Sequence, residues 1–265
     1  MNYTLITGAS KGIGKAFAYE CASRGMNLIL VARSQHLLEQ LAADLRTKNV
    51  TVHTHTADLL DHAVHTKLFG WIKENGYNVN MLINNAGMGY FGKFDDKPLD
   101  KHIEVMHLNM DSVVRMAHAF LTHTDSSQRR YLLNTASTGA FQPTPNMAVY
   151  CASKAFVSSF SQAIRHELRH SNTYVTALCP GGTESEFFTP AGMDKVIEKN
   201  ATFMMKAEDV ARQGLDGPAT SDFQRVMASA AAPWRARHSA VLNEASAPNC
   251  GSPRSWSTRF ITGRS

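Results

Sequence analysis

Three side chains between Ser137 and Lys154 could together move a proton. Tyr150 and Lys154 are four residues apart in a segment with helical spacing, so both lie on one face of the expected helix. An ammonium beside a phenol favours the phenolate, which predicts a Tyr150 pKa below its usual value of about 10. Such a tyrosine is suited to general acid–base catalysis on a carbonyl or alcohol oxygen. Ser137 can donate a hydrogen bond to the same oxygen.

A glycine-rich turn follows the first expected strand. Tyr3–Thr7 is a short apolar run, and Gly8–Gly14 (GASKGIG) leads from it into a helical pattern. Strand, glycine loop and helix in this order direct backbone N–H groups and the positive end of a helix at a phosphate. The spacing G-x-x-x-G-x-G differs from the G-x-G-x-x-G of other dinucleotide folds. A glycine loop that serves only to turn the chain is the alternative.

The end of the second expected strand indicates which dinucleotide binds. Asn27–Ala32 ends at Arg33, and Ser34 follows. An acidic residue at this place typically binds the ribose hydroxyls of NAD, whereas an arginine suits the 2′-phosphate of NADP. Arg33 and Lys11 are two cations without a carboxylate, so we predict NADP(H). The alternative is a pair of solvated surface charges.

Strands and helices alternate along the chain, which predicts an α/β fold with a three-layer, doubly wound parallel sheet of the Rossmann type. The further strands are expected at 50–56, 79–83, 131–135 and 174–178, with helices at 35–48, 61–75, 98–123, 149–170 and 206–215. Right-handed crossovers place the carboxyl ends of all strands on one rim. A seventh strand stays uncertain.

Two polar residues on or near this rim have competing explanations. Asp58 follows the third strand and is well placed for an adenine amino group, although an aspartate there can also cap a helix. Asp61 fits the capping role better. Asn109 lies among apolar residues of a helix, where a buried amide needs a partner, and a satisfied core amide is its plain explanation.

Together these motifs resemble the short-chain dehydrogenase/reductase family, in its compact single-domain branch, over roughly residues 3–210. The resemblance implies a catalytic tetrad of Asn109, Ser137, Tyr150 and Lys154. Lys154 is then expected to hold the nicotinamide ribose and lower the Tyr150 pKa, while Asn109 anchors a proton-relay water. The implied cofactor contacts are Gly8, Ser10, Lys11, Gly12, Ile13, Gly14, Arg33, Asp58, Leu59, Asn84, Ala86, Gly87, Tyr150, Lys154, Pro180, Gly181 and Thr183. Ser185 stands where the family has a threonine.

The resemblance implies reversible hydride transfer between a nicotinamide and a carbonyl or alcohol carbon of a small molecule, with the NADPH-dependent reductase direction favoured. An NAD-dependent alcohol or hydroxysteroid dehydrogenase and a non-catalytic dinucleotide-sensing protein are the alternatives, and the intact Ser/Tyr/Lys set argues against the second.

Residues 184–205 would form a substrate lid with an apolar face. That face holds Phe187, Phe188, Met193, Phe203 and Met204. The family tendency also predicts a homo-oligomer, either a dimer or a tetramer.

The 265 residues are 43% hydrophobic and 18% charged, typical of one large globular domain. We expect that domain to span residues 1–216. Residues 217–265 depart from the family pattern, because Gly217-Pro218 interrupts a sound helix and the composition turns rich in Ala, Ser, Pro and Arg. A diverged segment or a change of reading frame would explain this, and the abrupt break favours the second.

Charge and cysteine content limit the function classes. Most of the net charge of +5 comes from six arginines in residues 217–265, so the rest is nearly neutral and offers no footprint for nucleic acid. The four cysteines form no C-x-x-C pair, and no membrane span or leader is evident, which predicts a cytoplasmic protein. The twelve histidines show no H-E-x-x-H motif, and we predict no metal site from them.

Overall fold

A computed structural model of the chain describes residues 1–187, 191 and 204–216, all of which belong to the unit Met1–Ala230. Its centre is a parallel sheet of six strands, in the order β3-β2-β1-β4-β5-β6. The strands are β1 Asn2–Thr7, β2 Asn27–Ala32, β3 Val52–Thr56, β4 Asn78–Asn84, β5 Arg130–Thr135 and β6 Thr173–Leu178. The order reverses between β1 and β4, which confirms the doubly wound prediction and creates a switch point there.

Helices connect successive strands and cover the sheet. They are α1 Gly12–Ser23, α2 Gln35–Arg46, α3 Val64–Glu74, α4 Leu99–Met106, α5 Ser112–His123, α6 Ala148–Glu167 and α7 Ala207–Asp216, with short 3₁₀ turns at Phe94–Asp96 and Thr138–Ala140. No helix among the described residues is long and apolar enough to cross a bilayer.

The strands bury side chains on both faces of the sheet. In β2, Leu28 and Leu30 pack into a core with α1, α2 and α7, whereas Ile29 and Val31 pack into a second core with α3 and α5. Successive strand residues point to opposite faces, so a strand covered on both sides must be apolar throughout. This explains why β2 is a continuous apolar run in the sequence.

The helix expected over 98–123 is confirmed as a continuous helical segment from Leu99 to His123, although its middle is not α-helical. A π-helical turn, His107–Asp111, separates α4 from α5. A π turn accommodates one extra residue and often occurs at functional sites. At its centre Asn109 is fully buried, with both amide atoms hydrogen-bonded. The sequence does not indicate the π-helical turn, because the apolar periodicity continues through it.

Other boundaries differ by a few residues. The third strand begins at Val52 rather than at residue 50, and the helix expected over 206–215 is α7, Ala207–Asp216. Helix α7 packs against α1, since a Cβ added at Gly214 would lie 2.8 Å from Phe17 Cζ. The predicted segment 217–265 lies outside the described residues.

Helix α1 approaches β1 so closely that only glycine fits at its third residue. A Cβ added at Gly14 would lie 2.1 Å from the Gly8 carbonyl oxygen and 2.6 Å from Asn85 Nδ2. Both distances are below van der Waals contact, and the first neighbour is backbone that cannot rotate away. The glycine loop and the end of β4 therefore depend on Gly14.

We expect Gly14→Ala to lower the free energy of unfolding by about 3 kcal/mol, because overpacking here must displace backbone. Gly70→Ala is the matched control. Gly70 lies in α3, and its added Cβ would meet no atom within 4 Å. That control should be neutral or raise stability by about 0.5–1 kcal/mol through helix propensity. Urea unfolding of both variants makes the comparison, and equal effects would contradict the close-packing argument.

Candidate active site

A cleft of about 870 Å³ lies at the carboxyl ends of the strands. It follows the switch point between β1 and β4, which is where open parallel sheets bind ligands. Most of the residues expected at the site line it together, although they come from seven different segments of the chain. They are Gly8, Ser10, Lys11, Gly12, Ile13, Arg33, Asp58, Leu59, Ala86, Gly87, Ser137, Tyr150, Lys154, Pro180, Gly181 and Thr183.

The buried hydroxyl of Thr7 holds the floor of this cleft together. Its Oγ1 accepts hydrogen bonds from the backbone N–H groups of Asn85 at 2.9 Å and Ala86 at 3.0 Å. Asn85 Nδ2 returns a hydrogen bond to the Thr7 carbonyl at 3.1 Å. The carboxyl ends of β1 and β4 are thus fixed side by side.

The structure does not bring two of the expected cofactor contacts, Gly14 and Asn84, to the cleft surface. Gly14 lies beneath the loop, where it allows α1 to approach β1. Asn84 is buried, and its Nδ2 donates to the Val113 carbonyl at 2.9 Å. Both residues support the cleft from behind. The pleat of β4 directs the Asn84 side chain to the sheet face that α5 covers.

Asn109 also lies behind the cleft lining. Its Nδ2 donates to the Met88 carbonyl at 2.9 Å and to Ser153 Oγ at 3.0 Å, and its Oδ1 accepts from Met88 N at 2.9 Å. Both amide hydrogens are therefore used within the protein. The amide side chain ties the loop after β4 to α6, as the satisfied-amide explanation expects. Its role as the anchor of a relay water stays a prediction.

The glycine loop already binds a carboxylate. Gly12 N donates a hydrogen bond to Glu186 Oε2 at 3.0 Å. A carboxylate oxygen here stands in for a phosphate oxygen, so the loop amide is positioned to bind an anion. Gly8 and Gly12 have φ of 65° and 52°, which favour glycine. The loop therefore fits a pyrophosphate, and such a group must displace Glu186.

Asp58 lines the cleft but does not cap a helix. Its Oδ1 accepts from Leu60 N at 3.0 Å, which forms a local turn, while Asp61 Oδ1 accepts from Ala63 N at 2.9 Å. Helix α3 begins at Val64 after Ala63, so neither aspartate is its N-cap. The exposed Asp58 carboxylate keeps acceptor capacity toward the cleft.

Lys154 and Ser137 flank the Tyr150 side chain. The Lys154 Nζ is buried, donates to the Thr135 carbonyl at 2.8 Å and lies 5.8 Å from the centre of the Tyr150 ring. Ser137 Oγ accepts from Gly139 N at 3.1 Å and donates to the Pro180 carbonyl at 3.5 Å, and it acts to lower the pKa of Tyr150. Helix α6 places Tyr150 and Lys154 on one face, and the end of β5 delivers Ser137.

The expected direction of the Tyr150 pKa is wrong for the protein without ligand. Loss of water raises the pKa of Tyr150 to about 12, and the hydrogen bond with Ser137 only partly opposes this. Burial likewise lowers the pKa of Lys154 to about 8. Lys154 donates one of the three N–H groups of its ammonium to the Thr135 carbonyl, and its nitrogen lies 5.8 Å from the centre of the Tyr150 ring. With its raised pKa, Tyr150 is protonated at neutral pH.

Glu104 and its two partners are cleft residues that the sequence patterns do not indicate. Lys101 Nζ donates to Glu104 at 2.8 and 3.0 Å, and Tyr90 Oη donates to the same carboxylate at 3.2 Å. All three line the cleft, and Lys101 chiefly, with a smaller contribution from Arg33, lowers the Glu104 pKa. Spacing i,i+3 signals such a pair on a helix, but only the tertiary fold places it at the cleft.

The cleft beside Tyr150 is apolar. Met147, Cys151 and Ala191 form a small core there, against which Tyr150 and Phe187 pack with ring centres 5.5 Å apart. A parallel bridge between Thr183 and Met205 joins the two ends of the expected lid. Of the expected apolar lid face the structure describes Phe187 and Met204, whereas Phe188, Met193 and Phe203 lie outside the described residues.

The sequence is similar to proteins of a known family. The model of a family described as short chain dehydrogenase matches residues 2–195. Human 17-beta-hydroxysteroid dehydrogenase type 3 is 35% identical over 184 residues, 67% of this chain and 58% of its own length. A very-long-chain 3-oxoacyl-CoA reductase from Pyrenophora tritici-repentis is 36% identical over 206 residues, 75% of this chain and 58% of its own. The chain thus spans less than two thirds of these relatives.

Solved structures agree with the fold. A short-chain dehydrogenase from Sphingobium yanoikuyae in complex with NADPH has a TM-score of 0.78 and 30% identity, over 98% of this chain and all of its own. An alcohol dehydrogenase from Thermococcus sibiricus, complexed with 5-hydroxy-NADP, has a TM-score of 0.77 and 26% identity, over 87% of this chain and 97% of its own.

The buried lysine generates a test that needs no substrate. Lys154 has a pKa of about 8 when folded and 10.5 as the ordinary value, so between these values the unfolded state binds more protons there. Its contribution to stability should rise with pH across that window. We expect the stability of wild type relative to Lys154→Met to rise between pH 8 and 10, by up to about 1 kcal/mol per pH unit.

Urea unfolding at pH 7.5 to 10 measures this difference, and the range stops below the window in which Tyr150 titrates. The control is Lys15→Met, the same change at an exposed lysine of α1, which should show no such slope. A pH-independent difference for Lys154→Met would refute the lowered Lys154 pKa.

Proposed function

We propose that this chain, which belongs to the short-chain dehydrogenase/reductase family, is an NADPH-dependent reductase that converts a carbonyl to an alcohol. The observation that carries the proposal is the meeting of Ser137, Tyr150 and Lys154 in the cleft that also contains the glycine loop. A reacting oxygen beside Tyr150 would then lie in the same cavity as a bound dinucleotide. Cytoplasmic location and homo-oligomeric state remain predictions.

In this proposal Tyr150 is the proton donor. The chemistry that an NADPH held in this cleft would supply is a hydride for the carbonyl carbon. The Tyr150 hydroxyl gives its proton to the carbonyl oxygen, while Ser137 stabilises the developing negative charge by a hydrogen bond. Burial raises the pKa of Tyr150 to about 12, so its hydroxyl carries a proton at neutral pH and can act as the donor.

The charges at the cleft support NADP(H). Arg33 and Lys11 are exposed there, and no acidic residue stands at the end of β2 where a ribose would be bound. The nearby carboxylate of Glu104 is already paired with Lys101 and Tyr90, so it leaves Arg33 available to a phosphate. Arginine pairs with phosphate through two parallel hydrogen bonds, which favours the 2′-phosphate.

The substrate we propose is a carbonyl on a large, mainly apolar molecule. The apolar surface formed by Met147, Cys151 and Phe187 beside Tyr150 supports it. The activities of two relatives, a 17-beta-hydroxysteroid dehydrogenase and a very-long-chain 3-oxoacyl-CoA reductase, support the same class of substrate. A 17-ketosteroid and a long-chain 3-oxoacyl-CoA are therefore the first substrates to assay with NADPH.

We expect Tyr150→Phe to reduce kcat on the accepted substrate by about 100-fold or more, because the phenylalanine carries no transferable proton. Binding of NADPH, followed by nicotinamide fluorescence, should persist. Tyr174→Phe removes a hydroxyl from a partly exposed tyrosine of β6 and should leave kcat unchanged. Turnover that survives in Tyr150→Phe would disprove the mechanism, and NADPH binding without any turnover in wild type would favour the dinucleotide sensor.

We expect Arg33→Ala to weaken NADPH binding by about 10-fold or more and to leave NADH binding nearly unchanged, because only NADPH carries the 2′-phosphate. Arg129→Ala, at an exposed arginine that lies over Tyr174, is the control. Fluorescence titration of both nucleotides measures the ratio. Equal losses for NADPH and NADH would contradict the assigned role of Arg33.

A further inference from the structure

Two histidines and an aspartate meet on the protein surface outside the cleft. His62 lies in the turn before α3, and His107 and Asp111 are the first and last residues of the π-helical turn. One ligand atom from each of the three lies within 4.8 Å of the others. The sequence concealed this cluster, because His62 is far from the other two along the chain.

The distances suit a small divalent ion. Zinc bonds to histidine nitrogen and carboxylate oxygen are about 2.0–2.2 Å long, so neighbouring ligand atoms stand about 3–3.5 Å apart. His62 Nδ1 and Asp111 Oδ2 already stand 3.1 Å apart, and the His62 and His107 ring centres are 5.3 Å apart. His62 is exposed, so a small rotation of exposed side chains can close the remaining gap.

Besides His62, Arg115 forms an ion pair with Asp111. Its Nε lies 2.9 and 2.8 Å from the two carboxylate oxygens. Each carboxylate oxygen has two acceptor positions, so Asp111 can keep this hydrogen bond and still bind a cation. The positive charge of Arg115 nevertheless opposes a metal ion at the same carboxylate.

We propose that His62, His107 and Asp111 form a binding site for a divalent transition metal ion, with zinc as the representative. Two imidazoles and one carboxylate are ligands that such ions prefer over magnesium or calcium. The exposed side leaves coordination positions for water. The ion would join the start of α3 to the π-helical turn, two segments that are distant in the sequence. The site is separate from the cleft and does not depend on the proposed activity.

Zinc binding to the full chain is the test, measured by competition with a chromogenic chelator and by the shift in Tm. We expect one zinc per chain, and a loss of affinity of about 10-fold or more in His62→Ala and in His107→Ala. His118→Ala, at an exposed histidine of α5 outside the cluster, should bind zinc as wild type does.

Arg115→Ala provides a test in the opposite direction. It leaves all three ligands in place and removes the opposing charge, so zinc should bind more tightly and raise Tm further than in wild type. Binding that weakens in Arg115→Ala would overturn the proposal. Stoichiometric binding that persists in the double variant His62→Ala/His107→Ala, or no zinc binding by wild type, would overturn it as well.

Discussion

The contact between β1 and β4 is the constraint on which the rest of the cleft depends. The Thr7 hydroxyl accepts two backbone hydrogen bonds from Asn85 and Ala86, and Gly14 lets α1 descend onto the same point. A larger residue than glycine would meet the Gly8 carbonyl there. Because the sheet order reverses between these two strands, this junction forms the cleft floor and orients the glycine loop above it.

The reactive groups are held by burial rather than by charge pairing. Lys154 gives a hydrogen bond to the Thr135 carbonyl and is withdrawn from water, which lowers its pKa. Tyr150 stays protonated for the same physical reason, since a low-polarity environment disfavours any charge. Burial of a lysine costs stability, and the hydrogen bond from Lys154 to the Thr135 carbonyl offsets part of that cost.

The π-helical turn connects the interior of the fold with its surface. Asn109 at its centre uses both amide hydrogens to tie the loop after β4 to α6. A Cβ added at Gly87 would meet Asn109 Oδ1 at 3.2 Å and Lys154 Nζ at 3.3 Å, so the turn also shapes the wall behind the lysine. The ends of the same turn, His107 and Asp111, face outward toward His62.

The sequence by itself determined the alternation of strands and helices, the glycine loop and the Tyr150/Lys154 pair, because local periodicity and spacing encode these features directly. Only the tertiary structure decided that Asn84 points away from the cleft, that Glu186 reaches Gly12, and that Tyr150 has a raised pKa. These depend on burial and on contacts between residues far apart in the chain. A local sequence pattern does not show how far a side chain is removed from water, which changes its pKa. It also does not show which distant groups come within hydrogen-bond distance of that side chain.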